Sequence, residues 1–76
     1  MAEREHVDAR GMPCPGPLIS LITALKQVPV GDEVEVLSSD YGSNHDIPEW
    51  AAKAGHALVE TEALKDYARF VVRKQR

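Results

Sequence analysis

Apolar side chains recur at two spacings along this chain. Residues 5–9, EHVDA, put Val7 and Ala9 two apart with polar neighbours, the period of a short strand. GMPCP (11–15) is a loop. From Pro15 the period becomes helical: Leu18, Leu21, Ile22 and Leu25 fall at i, i+3, i+4 and i+7. Pro29 and Gly31 end that run. DEVEVLSS (32–39) alternates again, which predicts Val34 and Val36 inward and Glu33 and Glu35 outward. DYGSNH (40–45) has turn composition. DIPEWAAKAG (46–55) predicts a second, shorter helix with Ile47, Trp50, Ala51 and Ala54 on one face. Asp46 and Glu49 stand at capping-box spacing, Pro48 suits a first turn, and Gly55 suits a left-handed exit. HALVET (56–61) and YARFVVR (67–73) predict two further strands, with EALKD (62–66) connecting them.

The predicted order is β-α-β-α-β-β. A strand-helix-strand unit implies a parallel pair with a right-handed crossover. The terminal hairpin adds an antiparallel pair, so the sheet is mixed and four-stranded. Each helix has one apolar face, and the strands alternate, so one sheet face is expected to meet water. These expectations define an α/β two-layer sandwich with both helices on one face of the sheet. At 76 residues, the reading is one domain over 1–76.

With 43% hydrophobic and 28% charged residues, the chain is of globular composition. Its net charge of -3 argues against a general nucleic-acid binder. Arg69 and the basic end FVVRKQR read as a solvated strand and tail. MAEREHVDAR resembles neither a signal peptide nor an anchor, and no apolar run approaches a membrane span, so a cytoplasmic protein without membrane contact is expected. A single cysteine cannot close an internal disulfide. One cysteine with the scattered His6, His45 and His56 does not make a zinc site, so neither metal nor cofactor is expected. Trp50 reads as core packing, and Tyr41, beside Gly42, as exposed. So small a domain cannot enclose a large substrate, so its chemistry is expected at the surface, completed by a partner.

That chemistry centres on Cys14, in RGMPCPGPLIS. Cys14 is expected at or beside the helix N-cap, with Pro15 at the first helical position and Pro17 still in the first turn. The N–H groups of Gly16, Leu18 and Ile19 are then the free donors, and some can face the sulfur. Pro13, Pro15 and Pro17 restrict the loop. A helix N-terminus stabilises an anion by about 0.3–1 kcal/mol, or ~2 in a partly buried site, which lowers a thiol from about 8.5 to about 7–8. Arg10 can add positive charge, against Asp8 and Glu5. Cys14 has no partner for a Cys-x-x-Cys pair, and no histidine is expected beside it to make a hydrolase. What remains is a thiolate that accepts a group and passes it on. A persulfide formed here cannot collapse into an internal disulfide.

VDARGMPCPGPL fits the pattern Asp-x-x-Gly-x-x-Cys-Pro-x-Pro at Asp8, Gly11, Cys14, Pro15 and Pro17. DIPEWAAKAGHALVE supplies a second block at Asp46, Ile47, Pro48, Gly55 and His56. In both blocks the chain resembles the TusA/SirA-like sulfur carrier family over nearly its whole length. The resemblance implies the β-α-β-α-β-β fold and a persulfide carried on Cys14, supported by Pro15, Gly16, Pro17, Leu18 and Arg10. It implies a cysteine desulfurase or rhodanese-like donor and a downstream sulfur-relay acceptor, serving tRNA 2-thiouridine synthesis, molybdenum-cofactor biosynthesis or sulfur oxidation. That role is a sulfurtransferase-type carrier rather than a stand-alone turnover enzyme. The alternative is a non-catalytic regulatory or interaction module with a structural Cys-Pro-x-Pro loop. Departures from the family fall at Gly16, where a larger residue is common and a more open approach to Cys14 is expected, and at Tyr41-Gly42 and His45. Trp50-Ala51 replaces an aromatic-Cys pair of some relatives. Asp40, Tyr41, His45 and Asp46 are the candidate partner contacts.

Overall fold

The structure, a computed structural model, describes residues 4–13 and 15–76. The elements run β1 (Arg4–Asp8), α1 (Gly16–Gln27), β2 (Glu33–Ser38), α2 (Ser43–Ala54), β3 (Ala57–Ala63) and β4 (Ala68–Arg73). The sheet order is β1-β2-β4-β3. β1 and β2 are parallel, and β4 runs antiparallel to both β2 and β3. The mixed sheet and two-layer architecture agree with the alternation of periods in the sequence.

One face of the sheet makes the core. Val34 and Val36 of β2 and Phe70 and Val72 of β4 pack against Leu21, Ala24 and Leu25 of α1 and Ile47 and Ala51 of α2. Burying one such large side chain stabilises by about 1.5–3 kcal/mol. Trp50 is half-buried against this cluster and tilted over His56, ring centroids 5.4 Å apart, as a packing residue.

α2 begins three residues earlier than its composition suggests. The N–H groups of Ser43, Asn44 and His45 donate to the carbonyls of Asp40, Tyr41 and Gly42, so a tight turn winds directly into the helix. A buried Ser38 Oγ–Ser43 Oγ hydrogen bond (2.8 Å) pins the turn to the end of β2. Asp46 is therefore not the N-cap: its N–H donates to the Gly42 carbonyl at 2.9 Å. Its carboxylate still lies in the first turn, which favours negative charge. Pro48 falls inside the helix and withholds a donor from the Asn44 carbonyl. The exit is as expected. Gly55 has φ 81°, and the N–H groups of Gly55 and His56 close on the carbonyls of Ala52 and Ala51.

The other sheet face meets water through a lattice of ion pairs. Arg69 contacts Glu35, Glu60 and Glu62 at 2.8–3.1 Å. Glu33 lies between Arg4 and Arg73, at 2.9 and 2.8 Å, and Arg4 also reaches Glu60. A bulge in β3 makes this possible. Leu58 pairs with Val72 and Glu60 with Val71, so Val59 is the extra residue. Strict alternation would put Leu58, Glu60 and Glu62 on one face. The bulge reverses the parity, leaving Leu58 on the core and carrying Glu60 and Glu62 to Arg69. Val71 lies on this outer face beside Glu35 and Glu60, yet it is fully buried. The stems of the charged residues cover it.

The carboxyls of Glu33, Glu35 and Glu60 are held below the usual carboxylate range, chiefly by hydrogen bonds from Arg4, His6 and Arg69 respectively. An acid whose folded-state pKa is depressed stabilises the fold above its unfolded value and loses that contribution as pH falls. The thermal midpoint is therefore expected to fall as pH drops below about 4.5, less steeply in high salt. Arg69→Gln should lower the midpoint clearly at pH 7 and little at pH 3. Thermal scans that showed equal losses at both pH values would assign Arg69 a packing role only.

Candidate functional site

β1 and β2 are parallel, so their C-terminal ends lie at the same end of the sheet, where α1 and α2 both begin. The β3–β4 turn lies there too, because β4 is antiparallel to β2. This end therefore gathers residues 9–13, 15 and 16, the 39–42 turn and the 64–67 turn. Cys14 lies outside the described residues, but the positions on either side of it are described.

The approach to Cys14 is anchored first at Ala9, fully buried, whose N–H donates to the Leu37 carbonyl at 2.9 Å. A turn follows, closed by the Met12 N–H on the Ala9 carbonyl. Its third residue, Gly11, has φ 85°, a conformation open to glycine and strained for other residues. The Gly11 N–H donates to Ser39 Oγ at 2.8 Å, tying this segment to the end of β2.

α1 starts at Gly16, with Pro15 as N-cap and Pro17 at the second helical position, one residue later than the sequence spacing suggests. Pro17 is fully buried, so it anchors the helix start as well as stiffening it. The Gly16 N–H donates to the Pro13 carbonyl (2.8 Å), a bond that spans position 14, and the Ile19 N–H donates to the Pro15 carbonyl (3.0 Å). These two donors are committed, which corrects the expectation that three are free. The Leu18 N–H has no backbone acceptor among the described residues.

Arg10 is not a free cation. Its guanidinium takes both oxygens of Asp8, Nε to Oδ1 at 2.9 Å and Nη2 to Oδ2 at 2.8 Å. That pairing lowers the Asp8 carboxyl to about 2. The same guanidinium lies 5.0 Å from the centroid of the Tyr67 ring.

Asp40, Tyr41, His45 and Asp46 are brought to the same end. His45 is exposed and pairs with Glu49 at 3.0 Å. Tyr41 is 90% exposed. With Met12 (42%), Ile19 (55%) and Leu64 (39%), it forms an apolar fringe at this end of the molecule. Between residues 38–44 and 63–68 lies a cavity of about 360 Å³, which Asp40, Tyr41, Asn44, Lys65 and Tyr67 help to line. Leu64–Tyr67 was not singled out in the sequence. The signal for it was topological: a hairpin antiparallel to β2 must turn where β2 ends. Among the described residues no group of three or more His, Cys, Asp and Glu is arranged to hold a metal.

Gly16 does not leave an opening. Met12 packs over it, so a Cβ at position 16 would come within 3.1 Å of Met12 Cβ. Ser20 Oγ donates to Met12 Sδ at 3.7 Å. Positions 12 and 16 thus share one space. Gly16→Met is expected to destabilise the fold, and adding Met12→Ala to recover part of the loss. Urea unfolding of the four variants should give a coupling of about 0.5–3 kcal/mol; strict additivity would show that the two positions do not compete.

Residues 5–74 match the model of the family described as Sulfurtransferase TusA. The chain is 63% identical over 68 residues to a protein of Archaeoglobus fulgidus named "Putative sulfur carrier protein", covering 90% of this chain and 93% of that one. It is 30% identical over 70 residues to the sulfur carrier protein TusA of Pseudomonas syringae pv. syringae, covering 92% and 83%. The crystal structure of a SirA-like protein from Desulfitobacterium hafniense superposes with a TM-score of 0.80 at 25% identity, covering 93% and 97%. The chain carries the Cys-Pro-x-Pro segment inside the matched span and has the β-α-β-α-β-β fold: it belongs to the TusA family of sulfur carriers.

Proposed function

We propose that Cys14 is the sulfur-carrying atom of a relay between two proteins. The observation that carries this reading is the family match, which spans the chain's single cysteine within an intact Cys-Pro-x-Pro segment. The Cys14 thiolate attacks the terminal sulfur of a donor persulfide. One S–S bond forms and one breaks, and the donor leaves as a thiolate. An acceptor thiolate then removes that sulfur from Cys14 by the same step in reverse. Thiolates and electrons balance, so no oxidant or reductant is needed.

The neighbours support this role by holding the segment. Pro15 and Pro17 restrict it, the Gly16 N–H closes the turn across it, and the start of α1 favours a thiolate. Arg10, paired with Asp8, holds the strand exit that leads to this segment. A cysteine desulfurase or a rhodanese-like protein is the donor class that supplies such a persulfide. Thiolated tRNA, molybdenum cofactor and sulfur oxidation are the pathway classes that consume it. Asp40, Tyr41, His45 and Asp46 form part of the surface these proteins meet.

Incubation with a desulfurase and cysteine is expected to add about 32 Da per sulfur to the protein by mass spectrometry. Cys14→Ser should abolish the adduct and any relay. Iodoacetamide alkylation should show a midpoint below the free-thiol value of about 8.5. A protein that no competent donor loads, with a thiol less acidic than free cysteine, would leave the chain as an interaction module with a structural loop.

A further inference from the structure

At the end of the sheet opposite the 9–13 loop, residues 74–76 form a strap across the exits of both helices. β4 ends at Arg73, which pairs with Glu33 at the start of β2. Lys74 continues the chain there. Its N–H donates to the Asp32 carbonyl at 2.9 Å, and its carbonyl accepts the Gly31 N–H at 2.8 Å. Its Nζ donates to the carbonyl of Val28, the C-cap of α1, at 2.8 Å. The next two residues cross to α2. The Gln75 N–H donates to His56 Nδ1 at 3.1 Å. The Arg76 side chain lies over Gly55, where a Cβ would come within 3.1 Å of Arg76 Cδ.

One of these ties depends on a proton. An imidazole Nδ1 accepts a hydrogen bond only while it carries no hydrogen, so the ring that holds Gln75 is the neutral Nε2–H tautomer. Protonation turns Nδ1 into a donor that faces another donor. It also sets a positive charge beside Lys74 and Arg76, the charged groups whose fields act on this ring. From α2 the ring meets the uncharged indole of Trp50, and Lys53 of the last turn is engaged by Glu49 at 2.8 Å. Burial, and then the two cations of the strap, push the imidazole below the ordinary histidine value. The Lys74 ties carry no such condition, because their acceptors are carbonyls and an ammonium keeps its charge through this range. We propose that His56 is a proton-operated latch: neutral, it fastens Gln75 and Arg76 over the exit of α2, and protonated, it releases them while Lys74 stays in place. The open arrangement binds the proton better than the closed one, so acid drives opening. The window lies below about pH 6.5, the ordinary histidine midpoint. The latch stands apart from the sulfur reading, since it lies at the other end of the sheet.

An NMR titration of the ¹⁵N-labelled protein from about pH 8 to about pH 5 tests it, above the range in which the carboxylates are protonated. The Gln75 amide and the His56 ring are expected to shift with one shared midpoint below about 6.5. Across that midpoint the order parameter of Gln75 should drop below about 0.6, the mark of a flexible backbone, while Lys74 stays ordered. Trp50, the only tryptophan, should show the same midpoint in fluorescence. His56→Asn offers a side-chain oxygen near the place of Nδ1 and does not titrate, so it should keep Gln75 ordered at the acid end. His56→Ala lacks the acceptor and should leave Gln75 mobile at both ends. A Gln75 that stays ordered once the ring is protonated, a ring midpoint at or above the ordinary value, or an acid release that persists in His56→Asn would overturn the proposal.

Discussion

The parallel pairing of β1 with β2 is the constraint on which the rest of the molecule depends. A parallel pair needs a crossover, and α1 supplies it with an apolar face turned to the sheet. Once that crossover is made, both strands must end at the same edge. The Cys-Pro-x-Pro segment, the Ser39–Gly42 turn and the starts of both helices then converge without any further device. The Gly11–Ser39 hydrogen bond and the buried Ser38–Ser43 contact lock the convergence locally. The candidate chemistry thus follows from topology: the loops that leave a parallel pair lie where a reaction can be served by several elements.

The two faces of the sheet divide the labour. The inner face is a small apolar core. The outer face is polar in sequence but not loosely solvated, since Arg69 and Glu33 each link several strands. One inserted residue at Val59 reconciles the two. Without it, Leu58 and Glu60 could not both lie on the sides they occupy. The bulge is therefore a structural requirement of the ion lattice.

Much of this was legible from spacing. Val34 and Val36, and Leu21 and Leu25, declare a two-residue and a helical period, and Gly55 declares its own exit. The misplaced start of α2 has a physical cause. Ser43, Asn44 and His45 carry turn-forming side chains, but a buried hydroxyl pair and the burial of Ile47 draw them into the helix. Propensity yields there to tertiary contacts. The bulge was hidden because a single extra residue leaves the composition of HALVET unchanged. At the site, Cys14 and its prolines stood out as residue types, whereas the commitment of the Gly16 and Ile19 N–H groups depended on turn geometry that residue types do not encode. Met12 escaped notice because it reads as one apolar residue in a loop until Gly16 is seen beneath it.

The confinement of these groups to one edge has a consequence for traffic. The molecule is about 31 Å along its longest axis, and the exchange loop, apolar fringe and cavity share a single end of the sheet. On the proposed reading, donor and recipient compete for one footprint, so they meet the carrier in turn rather than together. Sulfur then moves at the pace of release and diffusion. The concentration of free carrier, rather than the assembly of a three-protein complex, governs how fast one partner supplies the other.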